Sequence, residues 1–430
     1  MKNIVLFRNN LRVHDNPVLQ QAVKSGEILP LYIYDQDCNE KKLGSASRYW
    51  LHNALDSLNS SLGNAIVFKR GNYINTLKNI VEDYSIDCVY IDKSYTPNEI
   101  TLDIKIESML FDIGRELKSI NCSLLWEPSK ILKSDESPYK VFTPYYKRGC
   151  LESSQPNLPV GPAGHITFIN HDIKSSVSDL SLLSSSNWHK KLENHWDITE
   201  KTANLQFLDF INNKVNRYKI DRDYPSKSNN SRLSPYLRFG MIDVHRLWYE
   251  LNQIPHNDGV VHYMSELGWR EFSYYLLYHF PFIVNNNFQK KFDRFEWHNN
   301  SNDIESWKHG YTGFPIIDAA MKELWSTGFM HNRMRMVVAS FLVKNLLVDW
   351  RIGEEWFWDC LVDADYASNI AGWQWAAGTG ADAAPYFRIF NPILQGEKFD
   401  PDGAYTTKYI PQLKNIPIKH LQSPWDYNLG

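Results

Sequence analysis

Short apolar runs and amphipathic stretches alternate through the first 130 residues. The runs Ile4–Phe7, Ile28–Tyr34, Ala65–Phe68, Cys88–Ile91 and Ser123–Trp126 are brief and rich in β-branched or aromatic residues, which predicts strands. Helical periodicity predicts helices over Pro17–Lys24, Ser47–Ser60, Tyr73–Tyr84 and Asn98–Lys118. Alternation of this kind predicts a Rossmann-like parallel α/β sheet with right-handed crossovers. Neither GxGxxG nor GxxxxGK[ST] occurs, so the scaffold lacks both standard phosphate loops.

From about residue 150 to 187 periodicity fades, and SVSDLSLLSSSN predicts a surface linker. From Leu205 onward the pattern is helical, with segments at Arg238–Leu251, Val260–Tyr278, Ile316–Leu324, Asn332–Leu347 and Glu354–Leu361. The expected organisation is an α/β domain over 1–130, a linker over 131–200 and an all-α domain over 201–430.

Composition narrows the class. A chain of 430 residues that is 43% hydrophobic and 22% charged is not disordered. No apolar run approaches the roughly 18 residues of a membrane span. The opening MKNIVLFRNN brings in polar and charged residues before a signal-peptide core develops, and neither end carries a lipidation box. The cysteines (Cys38, Cys88, Cys122, Cys150, Cys360) are scattered and form no CxxC pair, so neither disulfides nor a metal site is expected. A cytoplasmic, membrane-free monomer is the expectation. The net charge of −3 advertises no nucleic-acid partner. Tryptophan does more: of fifteen, all but Trp50 and Trp126 follow residue 187, which implies two regions with different tasks.

Four segments of the second half carry candidate chemistry. In SRLSPYLRFG, Ser234 before Pro235 predicts a helix N-terminus, where Ser231, Arg232 and Ser234 either cap the helix or hold a phosphate. In MHNRMRM, Asn332, Arg335 and Met336 share a helix face, while Arg333 and Arg335 point nearly oppositely. An inward arginine requires a carboxylate, and Asp363 and Asp365 of VDADYASN are the candidates. Glu266 and Trp269 of SELGWREF share a face; Glu266 either pairs with Arg270 at i+4 or lines a cleft beside the indole. In GWQWAAGTGADAAPYFRIFNP, Trp373 and Trp375 diverge by about 200° on a helix and so meet different surroundings.

These motifs, with LFRNNLRVHDN, LGSASRYWLHNAL, YKVFTPYYKR, TGFPIIDAAM, SFLVKNLLVDWR and QGEKFD, resemble the photolyase/cryptochrome family along essentially the whole chain. Asn10 departs from the family's usual acidic residue. The resemblance implies a U-shaped FAD held by Tyr218, Asn230, Ser231, Arg232, Leu233, Ser234, Tyr263, Asn332, Arg335, Asp363 and Asp365, with Asn369 beside flavin N5. Tyr263 stands where the family often has tryptophan. Trp297, Trp350 and Trp373 match the chain that reduces photoexcited flavin. Glu266, Trp269, Asn332, Met336 and Trp375 match the pocket for a flipped cyclobutane pyrimidine dimer, and Arg222, Arg333 and Gln395 its DNA contacts. His331–Asn332 stands where enzymes of six-four lesions carry His-His, so the implied activity is light-driven, FAD-dependent repair of cyclobutane dimers in UV-damaged DNA.

The alternative is a cryptochrome-type blue-light photoreceptor, which would lose the lesion pocket or extend past Gly430 into an output tail. A dark flavin oxidoreductase would need an NAD(P) fingerprint that the chain lacks. An antenna chromophore of folate, deazaflavin or flavin type is left open: Asn98–Glu99 resembles a folate-contacting pair, but Val284 stands where some folate binders place a basic residue.

Overall fold

The computed structural model describes residues 1–36 and 41–427; Cys38 and Gly430 lie outside them. The first half is a five-stranded parallel sheet of β1 (Lys2–Leu6), β2 (Glu27–Tyr34), β3 (Val67–Arg70), β4 (Cys88–Asp92) and β5 (Glu116–Ile120), in the order β3-β2-β1-β4-β5. Lys2 lies against Glu27, Asn3 against Cys88 and Leu31 against Val67. Helices α1 (Pro17–Ser25), α2 (Ser45–Ser61), α3 (Tyr73–Asp83) and α4 (Pro97–Asp112) connect the strands. β1, β2 and β4 read as unbroken apolar runs because both of their faces are buried. The winding reverses between β1 and β4, and their carboxyl ends open a crevice of the type that binds ligands in doubly wound sheets.

One strand lies elsewhere than expected. Residues 116–118, read as the end of a helix, belong to β5, because α4 stops at Asp112 and Gly114 turns the chain at φ +69°. Ser123–Trp126 is a loop. Its amides have partners outside any sheet: Ser123 and Leu124 donate to Asn121 Oδ1, while Leu125 and Trp126 donate to the buried carboxylate of Glu271 in the helical half.

The stretch expected to be a surface linker is anchored instead. Val177–Leu180 is a 3₁₀ turn whose Val177 and Leu180 are buried, as is Leu182. Ser175 Oγ accepts the Phe68 amide at 2.9 Å, and Ile28 pairs with Phe168 at the foot of β2. Apolar residues spaced among serines found a surface to cover.

Beyond residue 200 the structure is helical. Arg238–Leu251 is not one helix but two, Ser234–Arg238 and Val244–Gln253. Between them Gly240 sits at φ +61°, and a Cβ there would lie 1.9 Å from the Asn9 carbonyl; the break lets the halves touch. The long helix Asp258–His279, then Pro315–Thr327, Asn332–Ser340, Trp350–Cys360 and Tyr366–Ala377 surround an aromatic core. The helix expected over Asn332–Leu347 widens to a π turn at Phe341–Asn345 and stops at Leu347, whose φ is +56°. Among the described residues no helix is long and apolar enough to cross a membrane, and no three potential metal ligands cluster.

Candidate functional site

Four segments converge on a cavity of about 420 Å³. Asp258–His279 supplies Glu266 and Trp269, Asn332–Ser340 supplies Asn332, Arg335 and Met336, the turn before residue 366 supplies Asp363 and Asp365, and Tyr366–Ala377 supplies Asn369, Trp373 and Trp375. Each helix is started by a side chain. Asn257 accepts the Gly259 and Val260 amides, His331 Nδ1 accepts the Arg333 amide at 3.2 Å, and Asp365 accepts the Ser368 amide at 2.8 Å. Such caps fix helix rotation and with it the direction in which the site residues point.

The inward arginine is Arg335 and its carboxylate is Asp363. Arg335 Nη2 lies 3.0 and 2.8 Å from the two Asp363 oxygens, and Nε donates to the Met330 carbonyl at 2.8 Å. Asp363 also accepts the Ser234 hydroxyl at 2.6 Å. Asp365 is held by Tyr274 and its own helix start. Asn369 Nδ2 donates to Glu354 Oε1 at 2.7 Å and to the Glu354 carbonyl, which leaves its carbonyl oxygen for the cavity. Glu354 in turn pairs with Lys41.

Glu266 does not take Arg270. It pairs with Arg222, whose guanidinium burial would lower but which Glu266 and neighbouring anions hold raised. Arg270 is committed to Glu271 and to the Ser123 carbonyl. Trp269 stacks on Phe142 at 3.8 Å and 11°. Trp375 lines the cavity half-buried, whereas Trp373, two residues earlier, is buried against Phe357 at 4.9 Å and Trp307 at 6.1 Å. Trp350 is fully buried and donates to Asn287, and half-buried Trp297 packs on Phe295; all three belong to one apolar cluster.

Other expected residues lie outside the cavity wall. Tyr218 and Tyr263 pack edge-to-face at 5.2 Å, and burial pushes the Tyr263 hydroxyl up to about 12. Asn230 is half-buried. Ser234 is not the N-cap: Leu233 holds that position in a helix of five residues, and the Ser234 hydroxyl turns to Asp363. Arg232, at φ +52°, lays its guanidinium over Trp196 and Phe329. The Ser231 carbonyl accepts from Gln206 at 2.6 Å. Arg333 and Gln395 line a second pocket of about 250 Å³, where Arg333 pairs with Asp223 at 2.7 Å. Sequence reasoning missed Phe142, Glu354 and Asp223. Each acts through a partner far along the chain, and periodicity carries no signal for that.

The cavity suits a large planar ligand with polar ends. Its lining combines aromatic rings with alanine and glycine, and a Cβ on Gly372 would meet nothing within 4 Å although the residue is mid-helix. The Arg335–Asp363 pair, Asp365 and the amides of Asn332 and Asn369 furnish hydrogen-bond donors and acceptors along its wall.

Residues 3–163 match the family model described as DNA photolyase, and residues 263–429 that described as FAD binding domain of DNA photolyase. A deoxyribodipyrimidine photo-lyase of Agrobacterium fabrum is 40% identical over 98% of this chain and 90% of its own. A bacterial class III photolyase structure from Agrobacterium tumefaciens superposes with a TM-score of 0.94 at 38% identity, over 100% of this chain and 90% of that one. A Synechocystis cryptochrome superposes with a TM-score of 0.90 at 27% identity, over 100% of this chain and 92% of that one. The two-part fold, the arginine–carboxylate cavity and these matches together make the chain a member of the DNA photolyase/cryptochrome family, a photolyase-type enzyme with FAD as its cofactor.

Proposed function

We propose that this enzyme repairs cyclobutane pyrimidine dimers in UV-damaged DNA, with the dimer flipped into the cavity of about 420 Å³. The observation that carries this reading is that Glu266, Trp269, Asn332, Met336 and Trp375 line the same recess as Arg335, Asp363, Asp365 and Asn369. One set suits a lesion and the other a flavin. A dimer cannot be reached inside a duplex, and its weakened pairing makes extrusion cheaper. Trp269, braced from behind by Phe142, and Trp375 offer aromatic surface to the splayed bases. Glu266, oriented by Arg222, hydrogen-bonds a pyrimidine edge and stabilises charge that develops there.

The chemistry that FAD would supply there when bound, reduced and excited is loan of one electron to the dimer, which would return once the two ring bonds have broken. Arg335, Asp363, Asp365, Asn332 and Asn369 would hold the flavin, with Ser234 linking the 230–234 turn to Asp363. Trp373, Trp350 and Trp297 would carry electrons from the surface during light-dependent reduction. Folate, deazaflavin and flavin antennae all remain compatible with this reading.

The test is repair of dimer-containing oligonucleotides under blue light. Wild type is expected to restore them in light and not in the dark, and to leave six-four lesions untouched. Trp350→Phe is expected to lose photoreduction at least tenfold yet to repair normally after chemical reduction. Light-dependent spectral changes with no repair of either lesion would favour the photoreceptor reading, in keeping with the Synechocystis neighbour.

A further inference from the structure

Between the cavity and the second pocket runs a row of alternating charge. Glu266 pairs with Arg222, Arg222 Nε lies 3.8 Å from Asp223 Oδ1, and Asp223 Oδ2 lies 2.7 Å from Arg333 Nη2. Among the described residues, Asp223 is thus the one carboxylate in contact with both arginines. Arg333 sits on the Phe399 ring at 4.5 Å, and its Nε is buried without a hydrogen-bond partner. The second pocket, about 250 Å³, is lined by three cations, Arg333, Arg388 and Lys398, against the single carboxylate of Asp223. A basic recess with an unanswered N–H is built for an anion, and Asp223 already occupies Nη2 of Arg333.

We propose that Asp223 is an internal competitor for DNA phosphate. The inference rests on the reading that the protein binds DNA, and adds a residue that tunes how tightly. Without nucleic acid, Asp223 holds Arg222 and Arg333 in place and satisfies their charge. A phosphate that reaches Arg333 brings a second anion within a few ångströms of the carboxylate, so the two cannot share the guanidinium without repulsion. Binding therefore requires Asp223 to give up a contact, which weakens the sequence-independent grip on all DNA. The cost falls on damaged and undamaged duplex alike. It leaves lesion preference to the cavity and keeps the enzyme from lingering on intact DNA.

The experiment is a dark titration of FAD-loaded protein with dimer-containing and undamaged duplexes across a salt series. Asp223→Asn removes the charge at constant shape. It is expected to tighten binding to both duplexes about fivefold, the upper end for one partly exposed ion pair. The salt dependence should steepen and the preference for dimer should not rise. Asp223→Ser, which removes the same charge with a smaller side chain, should act likewise, and both gains should vanish in an Arg333→Met background. Unchanged or weaker binding by both variants, with wild type binding normally, would overturn the inference and leave Asp223 a scaffold for the arginines. A wild type that binds neither duplex would overturn this inference together with the DNA-repair reading beneath it.

Discussion

The two halves of the molecule each offer a place where a nucleotide-like ligand could sit, and they are built in opposite ways. In the α/β half the crevice at the carboxyl ends of β1 and β4 is where doubly wound sheets bind ligands. Here it retains about 20 Å³. Arg8 pairs with Asp103, Asn9 donates to Glu99, Arg238 of the helical half reaches Asn9, and Arg270 reaches the Ser123 carbonyl. Its charges are spent on one another. In the helical half the cavity of about 420 Å³ keeps its polar groups pointing inward across aromatic and small residues. The sheet topology alone would direct a search to the wrong half. The docked helices decide the matter, because they fill the crevice with the arginines that join the halves. Glu99, of the pair that resembles a folate contact, is engaged by Asn9 and Thr96.

The difference can be broken or sharpened by three substitutions. The largest effect is expected from Asp363→Ala. It leaves Arg335 without the carboxylate that is 2% exposed and removes the Ser234 link, a loss of about 3 kcal/mol for breaking a largely buried pair. Urea unfolding reads the stability, and the flavin content of the purified protein should collapse with it.

Next comes His331, which caps the helix that carries Asn332 and Arg335 into the cavity. Burial pushes its imidazole down to about 4. Between the ordinary value near 6.5 and that value the unfolded chain binds a proton that the folded chain refuses, so stability falls as pH falls through this window. His331→Gln should remove that part of the acid slope, worth about 2 kcal/mol near pH 5, while leaving the slope above pH 7 unchanged. Unfolding free energies across the pH range measure it.

The smallest effect belongs to the crevice. Asp103→Ala strips Arg8 of its carboxylate, but Arg8 keeps the Asp92 carbonyl, and the expected loss is about 1.5 kcal/mol, the low end for a hydrogen bond to a charged group, with flavin content unchanged. Loss of flavin from Asp103→Ala would show that the two sites are not independent and would overturn the contrast.

Local rules carried the reading of this chain a defined distance. Four of the five strands could be read, and for β1, β2 and β4 the reason is that an apolar run of five or so residues has to be covered on both faces. The opposite fates of Arg333 and Arg335 followed from 3.6 residues per turn, and so did those of Trp373 and Trp375. Periodicity also required a carboxylate for the inward arginine. Which carboxylate was a matter for the tertiary structure: Asp363, 28 residues on, for Arg335, and Asp223, 110 residues back, for Arg333. Glu266 passed over Arg270 one turn away for Arg222, 44 residues distant, and the amides of Ser123–Trp126 left the sheet for Asn121 and Glu271. A helix or strand is specified by neighbours a few positions apart, so the sequence determines it directly. The partner of a buried charge is chosen by whichever surfaces pack together, and only the folded chain brings those groups within the few ångströms at which a charge must be answered.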